Sequence, residues 1–210
     1  MAIQGRAVRT RGALVRAAAA EFDEAGYEGA RLSHISELAD VSMGALTFHF
    51  PAKATLAAAV EEEGLAITKA LVERLSDGRA PGFEAVVELT VGLVGLLEED
   101  LVVRSCVRLA RERPGGGGRW VDVWLPAVRD QLSLECAGGH SVLIEEVRQG
   151  MADLVVYLLA GAELQVRGGI GAPVGVPYSA GRRLERIWRL ILAGVLAEQA
   201  WSGGTCSLSS

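Results

Sequence analysis

Between Val41 and Leu56 the sequence reads VSMGALTFHFPAKATL. These residue types suit contact with a polyanion better than bond-breaking chemistry. Ser42 can cap a helix and reach a phosphate, and His49 can donate to another. Lys53 sits near a helix start, where free backbone N–H groups add to anion binding. Gly44 and Ala45 are too small to hold a helix away from a neighbouring surface. A helix enters the major groove of duplex DNA only when its side chains permit such an approach. Arg6, Arg9, Arg11 and Arg16 crowd the preceding N-terminal segment and can reach sugar–phosphate backbone or minor groove.

Helices must hold these residues in place. Leu14, Ala18 and Phe22 recur every four residues, which predicts a helix over Val8 to Ala25 with a stop at Gly26. A second helix should run from Ser33, its N-cap, to Ala39, with Leu32, Ile35 and Leu38 inward. Asp40 and Val41 make a tight turn, and Ser42 caps a third helix over Met43 to Phe48. Leu46 and Phe50 should face Ile35, Leu38 and Phe22, leaving Met43, Gly44, Thr47 and Phe48 outside. Pro51 fits the first turn of a fourth helix ending near Leu75. Further helices are predicted over Phe83–Glu98, Asp100–Arg111, Arg119–Glu135, Ser141–Arg167 and Arg182–Trp201. Loops are predicted at Ser76–Gly82, Pro114–Gly118 and Gly168–Gly181. No β alternation persists. The expected fold class is all-α, with a three-helix helix-turn-helix domain over 1–52, a larger helical body over 53–202 and a flexible tail over 203–210.

Helices two and three have the dimensions of a helix-turn-helix, whose second helix lies in a major groove. Ser42 to Leu56 is similar to the signature of the TetR family of transcriptional repressors, T-x-G-x-L-Y-x-H-F-x-x-K-x-x-L. Phe22, Gly26 and Tyr27 resemble that family's preceding block, F-x-x-x-G-Y. The resemblance covers about the first 60 residues. FHF-x-AK, the RSCVRLARE stretch and a Trp-bearing helix after a Gly/Pro loop look like the γ-butyrolactone receptor branch of actinomycete antibiotic regulators. The resemblance implies a homodimer on a pseudo-palindromic, double-stranded operator, released by a small lactone- or furan-like effector and controlling secondary metabolism. The DNA-contacting candidates are Arg11, Ser33, Ser42, Met43, Gly44, Ala45, Thr47, Phe48, His49 and Lys53. Two positions depart from the pattern: the family usually has Tyr at Thr47, and the branch usually has Lys at Met43. Residues 1–55 hold six cations (Arg6, Arg9, Arg11, Arg16, Arg31, Lys53) against six acids (Glu21, Asp23, Glu24, Glu28, Glu37, Asp40), so this region is locally neutral.

A signal-responsive repressor needs a second, coupled site. Trp124, Val128 and Gln131 fall on one helical face, an aromatic wall with one amide that suits a mostly apolar lactone. In the receptor branch a Trp of this helix contacts ligand, and Trp124 is the match with Trp120 the competitor. A Trp on such an apolar helix, taken singly, reads as core before it reads as a ligand contact. Thr90 and Leu93 are candidates for the same space. Cys106 reads as core. For the dimer, Leu154, Val155, Leu158, Leu159 and Ala162, with Ile187, Leu190, Ile191 and Val195, are predicted to form a four-helix interface.

Composition narrows the field. The net charge of −5 over 210 residues gives no global pull toward nucleic acid or anionic lipid, so any DNA binding is local. Cys106, Cys136 and Cys206 form no C-x-x-C pair and suit a reduced, cytoplasmic protein. The arginine-rich N-terminus is no secretory signal, and the apolar runs are too short or too polar for a membrane. The histidines His34, His49 and His140 stand at no catalytic or metal-binding spacing, and Glu61–Glu63 reads as a solvated acid run. The chain is expected not to be an enzyme and to need no cofactor. A pseudo-receptor, with the same fold but altered ligand response or lost DNA binding, is the alternative that Met43 and Thr47 raise.

Overall fold

The computed structural model describes residues 2–77, 82–113, 119–135, 142–168 and 179–204. The Pro114–Gly118 break, most of the Gly168–Gly181 connection, residues 78–81, Cys136, His140, Cys206 and tail residues 205–210 lie outside the described residues. Among those described there are nine helices and no strand: α1 (Ala2–Gly29), α2 (Leu32–Leu38), α3 (Met43–His49), α4 (Lys53–Ser76), α5 (Phe83–Glu99), α6 (Leu101–Glu112), α7 (Val121–Glu135), α8 (Val142–Val166) and α9 (Ala180–Gly204).

The predicted stripe of α1 is real, since Leu14, Ala18 and Phe22 are fully buried. The stop at Gly26 is a kink, with φ 73° and ψ 177°, after which the helix resumes to Gly29. Only glycine tolerates that backbone conformation readily. The start of α2 differs from expectation. Arg31, not Ser33, occupies the N-cap and makes no side-chain cap. Its N–H instead donates to Glu21 of α1 at 2.9 Å, so a tertiary carboxylate fixes the point that Ser33 was expected to fix. Leu38 also departs, being 51% exposed. The inward side of α2 is centred between Ile35 and Ser36, both buried, and Leu38 lies well round the helix from it.

Asp40 takes up the turn in the left-handed region, φ 51°, a conformation Asp tolerates better than most residues. Ser42 caps α3 as predicted, accepting the Ala45 N–H at 3.2 Å. The helix runs one residue further than expected, so His49 is its last residue rather than the one after. Pro51 lies ahead of α4 rather than in its first turn; Ala52 is the N-cap. There the Thr55 hydroxyl donates to the Ala52 carbonyl at 2.7 Å and accepts the Ala52 N–H at 3.3 Å. The later helices lie within three residues of their predicted bounds, and α6 is capped by Asp100, which accepts the N–H groups of Val102 and Val103.

Two apolar cores result. One joins Leu14, Phe22, Ile35, Leu46 and Phe50 to the first half of α4 and to Val102 and Leu109 of α6. The other joins the later helices through Leu93, Leu97, Trp120, Trp124, Val128, Leu159 and Trp188. The seam between α4 and α6 is narrow: a Cβ on Gly64 would lie 2.4 Å from the Cys106 Cβ and 3.1 Å from the Val102 carbonyl. Cys106 is fully buried, and burial, with Glu61 nearby, pushes its thiol up to about 12. Glu61 is not on a solvated face. It is 2% exposed and pairs with Arg113 at 3.1 Å. The proposed α8–α9 stripes also split, because Val155, Leu159 and Ala162 pack into their own core. Among the described side chains of these two helices, Tyr157, Leu164 and Leu190 are large apolar groups left exposed, with Val147 near the start of α8.

Gly64→Ala is expected to lower unfolding stability by about 1–3 kcal/mol through overpacking, although alanine has the better helix propensity. The reading is a reduced urea midpoint with an unchanged slope. Adding Cys106→Ala should give no rescue, because the clashing Cβ remains.

Candidate nucleic-acid interface and ligand pocket

Leu46 and Phe50 anchor α3 into the first core, so its opposite side faces away from the body. Gly44 and Phe48 are exposed there, Phe48 to 83%, and Thr47 and Met43 are exposed at its margins. Nothing but the Ser42 hydroxyl, 3.9 Å away, lies near the missing side chain of Gly44, which leaves an open shoulder. Ala45 is half-buried at the flank. Ser42 Oγ accepts a backbone N–H and keeps its own proton to donate. The Thr47 hydroxyl is turned back to the helix, 3.0 Å from the Met43 carbonyl and 3.2 Å from that of Gly44. The His49 ring stands edge-on to Phe48, centroids 5.4 Å apart.

Around this helix, Arg11 is exposed with its guanidinium 5.3 Å from the Phe50 ring centroid. Ser33 is exposed inside α2. Arg6, Arg9 and Arg16 are also exposed on α1. Lys53 is partly engaged. Its ammonium donates to the carbonyls of Glu28 and Ala30, each at 3.2 Å, and lies over the Tyr27 ring at 4.9 Å. It ties α4 to the end of α1, with a third N–H left to donate. Arg113 lies over the same ring at 4.7 Å, which explains the aromatic residue after the kink glycine.

The local charge balance also looks different in three dimensions. Glu21 is buried, accepting from Arg31 N–H and paired with His34 Nδ1. Burial raises its pKa, but those two partners outweigh it and hold the carboxyl below the usual range. Asp23 points into the body, where Arg104 of α6 binds one oxygen at 2.9 Å and Arg167, just past α8, the other at 3.1 Å. Asp23 is therefore neutralised by arginines from outside residues 1–55, and Glu21 is turned into the interior. Next to them, Arg108 donates to the Asp23 carbonyl at 2.5 Å and to Glu112 at 2.7 Å. Glu112 accepts the Tyr27 N–H at 2.6 Å. Burial raises the pKa of Glu112, and the Arg108 and Tyr27 hydrogen bonds more than offset it. A Cβ on Gly26 would fall 2.7 Å from Arg108 and 2.8 Å from Glu112, so the kink and this clamp need the same glycine. The cluster escaped the sequence reading, because it joins residues more than 80 positions apart.

In the body, an apolar pocket of about 220 Å³ is lined by Val107, Trp120, Trp124, Val156, Leu159 and Ala160, with Arg111 and Glu163 at its polar side. Of the six predicted ligand residues only Trp120 and Trp124 line it. Val128 and Leu93 are fully buried in the adjoining core. Trp120 Nε1 donates to Thr68 at 2.9 Å, and Thr90 accepts from Trp188 Nε1 at 2.9 Å. Trp124 Nε1 and Gln131 Oε1 are buried without a hydrogen-bond partner. Glu163 meets Arg111 at 2.7 Å and Arg167 at 3.2 Å. A continuous set of ion pairs thus runs from the pocket wall through Arg167 to Asp23 of α1.

Residues 14–60 match the bacterial regulatory proteins of the tetR family. The A-factor receptor protein of Streptomyces griseus is 35% identical over 136 residues, covering 64% of this chain and 47% of that protein. The chain thus spans about half the length of that relative. A crystal structure of a γ-butyrolactone receptor (ArpA-like protein) is 30% identical with a TM-score of 0.62, covering 86% of this chain and 98% of that one. CprB from Streptomyces coelicolor, solved in complex with its biological operator sequence, is 28% identical with a TM-score of 0.61, covering 88% and 98%. These relatives are regulators and receptors, not enzymes.

Gly26→Ala is expected to cost about 1–3 kcal/mol from backbone strain alone. It should also displace Arg108 and Glu112. Hydrogen exchange at Tyr27 N–H reads the loosened clamp, and unchanged protection there would contradict this account.

Proposed function

Because the chain belongs to the tetR family of bacterial regulatory proteins, in its γ-butyrolactone-receptor branch, we propose that it is a cytoplasmic, dimeric repressor of secondary-metabolism genes. It binds a pseudo-palindromic operator and leaves it when a small lactone- or furan-like molecule enters the body. The observation that carries the reading is α3 itself: a capped helix, pinned by Leu46 and Phe50, presenting an uncovered face around Gly44. Ser42, His49 and Arg11, with the exposed arginines of α1, supply the phosphate contacts. DNA contact is assigned to Ser33, Ala45, Met43, Thr47 and Phe48 as well, and to the remaining N–H of Lys53.

The effector site is assigned to the pocket at Trp124. Its unpartnered indole N–H suits a lactone carbonyl. The indole of Trp120 is already bonded to Thr68, which favours Trp124 over its neighbour. A pocket of about 220 Å³ is small against the ~300–1,000 Å³ common for such ligands, so the bound state must be wider than this one. Widening it would move α7 and α8 and tilt α4, changing the spacing of the two readers. The dimer is assigned to α8 and α9 through exposed Tyr157, Leu164 and Leu190. Two-fold pairing would set the readers about 34 Å apart, one helical turn of DNA. The absence of cations from α3 favours the second reading, a pseudo-receptor that has lost DNA binding.

Footprinting on DNA flanking the chain's own gene separates the two, since the repressor protects a two-fold site and the pseudo-receptor protects none. Titration with alkyl-bearing γ-butyrolactones and furans should release the protected site. Trp124→Phe, which removes the indole N–H, is expected to raise the concentration needed at least tenfold while operator affinity stays within twofold. Equal release from both proteins would remove Trp124 from the effector site.

A further inference from the structure

We propose that α3 reads its operator through the C5-methyl groups of thymine, with Phe48 and Met43 as the specificity-determining side chains. The inference rests on the DNA-binding reading above. It starts from a shortage. Base edges are usually read by Arg or Lys on guanine, Asn or Gln on adenine, and Asp or Glu on cytosine. The helix MGALTFH contains none of these residues. Its polar side chains are Thr47 and His49. The Thr47 hydroxyl is directed onto two carbonyls of its own helix. His49 is half-buried with its ring against Phe48. Ser42, ahead of the helix, accepts the Ala45 N–H, and its remaining donor is assigned to phosphate above.

What the outward face offers is apolar. Gly44 and Phe48 lie opposite Leu46 on α3, Thr47 lies beside them, and Met43, in the first turn, stays exposed at the margin of the inward face. Phe48 is 83% exposed and Met43 42% exposed, the two large apolar groups that this helix leaves uncovered. Beside Phe48, Gly44 has no side chain, which allows the ring to lie close to whatever α3 enters. The edge of His49 packs on the ring and limits its orientations. In the major groove the apolar mark on a base pair is the thymine methyl, and phenylalanine is among the residues that contact it. Phosphate contacts come from the exposed arginines of α1 and from Arg31, which carry affinity without reading sequence. Positioning by charge falls to α1 and the start of α2, and reading by methyl burial to α3.

The test replaces thymine by uracil in the footprinted duplex, which deletes methyl groups and leaves the base-pair hydrogen bonds and the phosphates in place. Full-length protein is titrated against both duplexes by fluorescence anisotropy over a range of salt. Uracil throughout both half-sites is expected to weaken binding at least tenfold, at roughly fourfold per buried methyl. The slope of affinity against salt should not change, because phosphate contacts persist. Phe48→Ala with Met43→Ala, two exposed positions outside the core, should bind both duplexes alike and near the wild-type affinity for the uracil duplex. Equal wild-type affinity for the two duplexes overturns methyl reading while DNA binding stands. Uracil sensitivity that survives in the double variant overturns its assignment to these side chains. A wild-type protein that prefers neither duplex over scrambled DNA defeats the DNA-binding reading itself, and this inference with it.

Discussion

Asp23 is the point at which the candidate reader and the body are tied. It sits on α1, one residue beyond Phe22 of the first core, and its two oxygens are held by arginines from α6 and from the end of α8. All three side chains are mostly shielded from water. Pairs of this kind cost strongly when one member is removed, because the other charges lose their counterpart. The main chain is clamped beside it, where Arg108 holds the Asp23 carbonyl and Glu112 holds the Tyr27 N–H. The end of α1 therefore has little freedom to move independently of α6. The kink at Gly26 and the cations over Tyr27 are consequences of that constraint.

The same constraint gives the pocket a route to the first core. Glu163 lies in the pocket wall and shares Arg167 with Asp23. A group entering beside Trp124 would press on α8 and disturb Glu163, Arg167 and Asp23 in turn. A second connection is steric. The α4–α6 seam closes to Cβ contact distance at Gly64 and Cys106, so α4 cannot slide without moving α6. Packed seams of this sort favour a few discrete arrangements over continuous deformation. Charge along one side and close packing along the other would thus convert a pocket of variable width into a choice between positions of α1 and α4.

Much of this was legible in the sequence, for physical reasons. Helical periodicity gave the helices because each buries one stripe. Ser42 gave the start of α3 because a local side-chain cap is sequence-near. Leu46 and Phe50 pointed inward as their spacing required. Most of the misses depend on partners far along the chain, and the one at Pro51 on a local side-chain cap. Ser33 lost its cap role to Glu21, Pro51 yielded its place to Thr55 and Ala52, and Lys53 turned onto Tyr27 and two carbonyls. Glu61 looked solvated because Arg113 lies 52 positions away. In the body, spacing put Trp124, Val128 and Gln131 on one face. Periodicity carries no information on which side of that face is hollow, and the pocket took Trp120 and Trp124 while leaving Val128 in solid core.

The most direct test of this account is reciprocity between the two sites. Effector affinity is measured by calorimetry on the free protein and on its operator complex, using a γ-butyrolactone that releases the DNA, in the wild type and in Asp23→Asn. Operator should weaken effector binding by the factor by which effector weakens operator binding, within the five- to 150-fold typical of such coupling. In Asp23→Asn that factor should fall toward one while each ligand alone still binds. A variant that keeps the full wild-type factor would show that the ion pairs at Asp23 do not link pocket to reader.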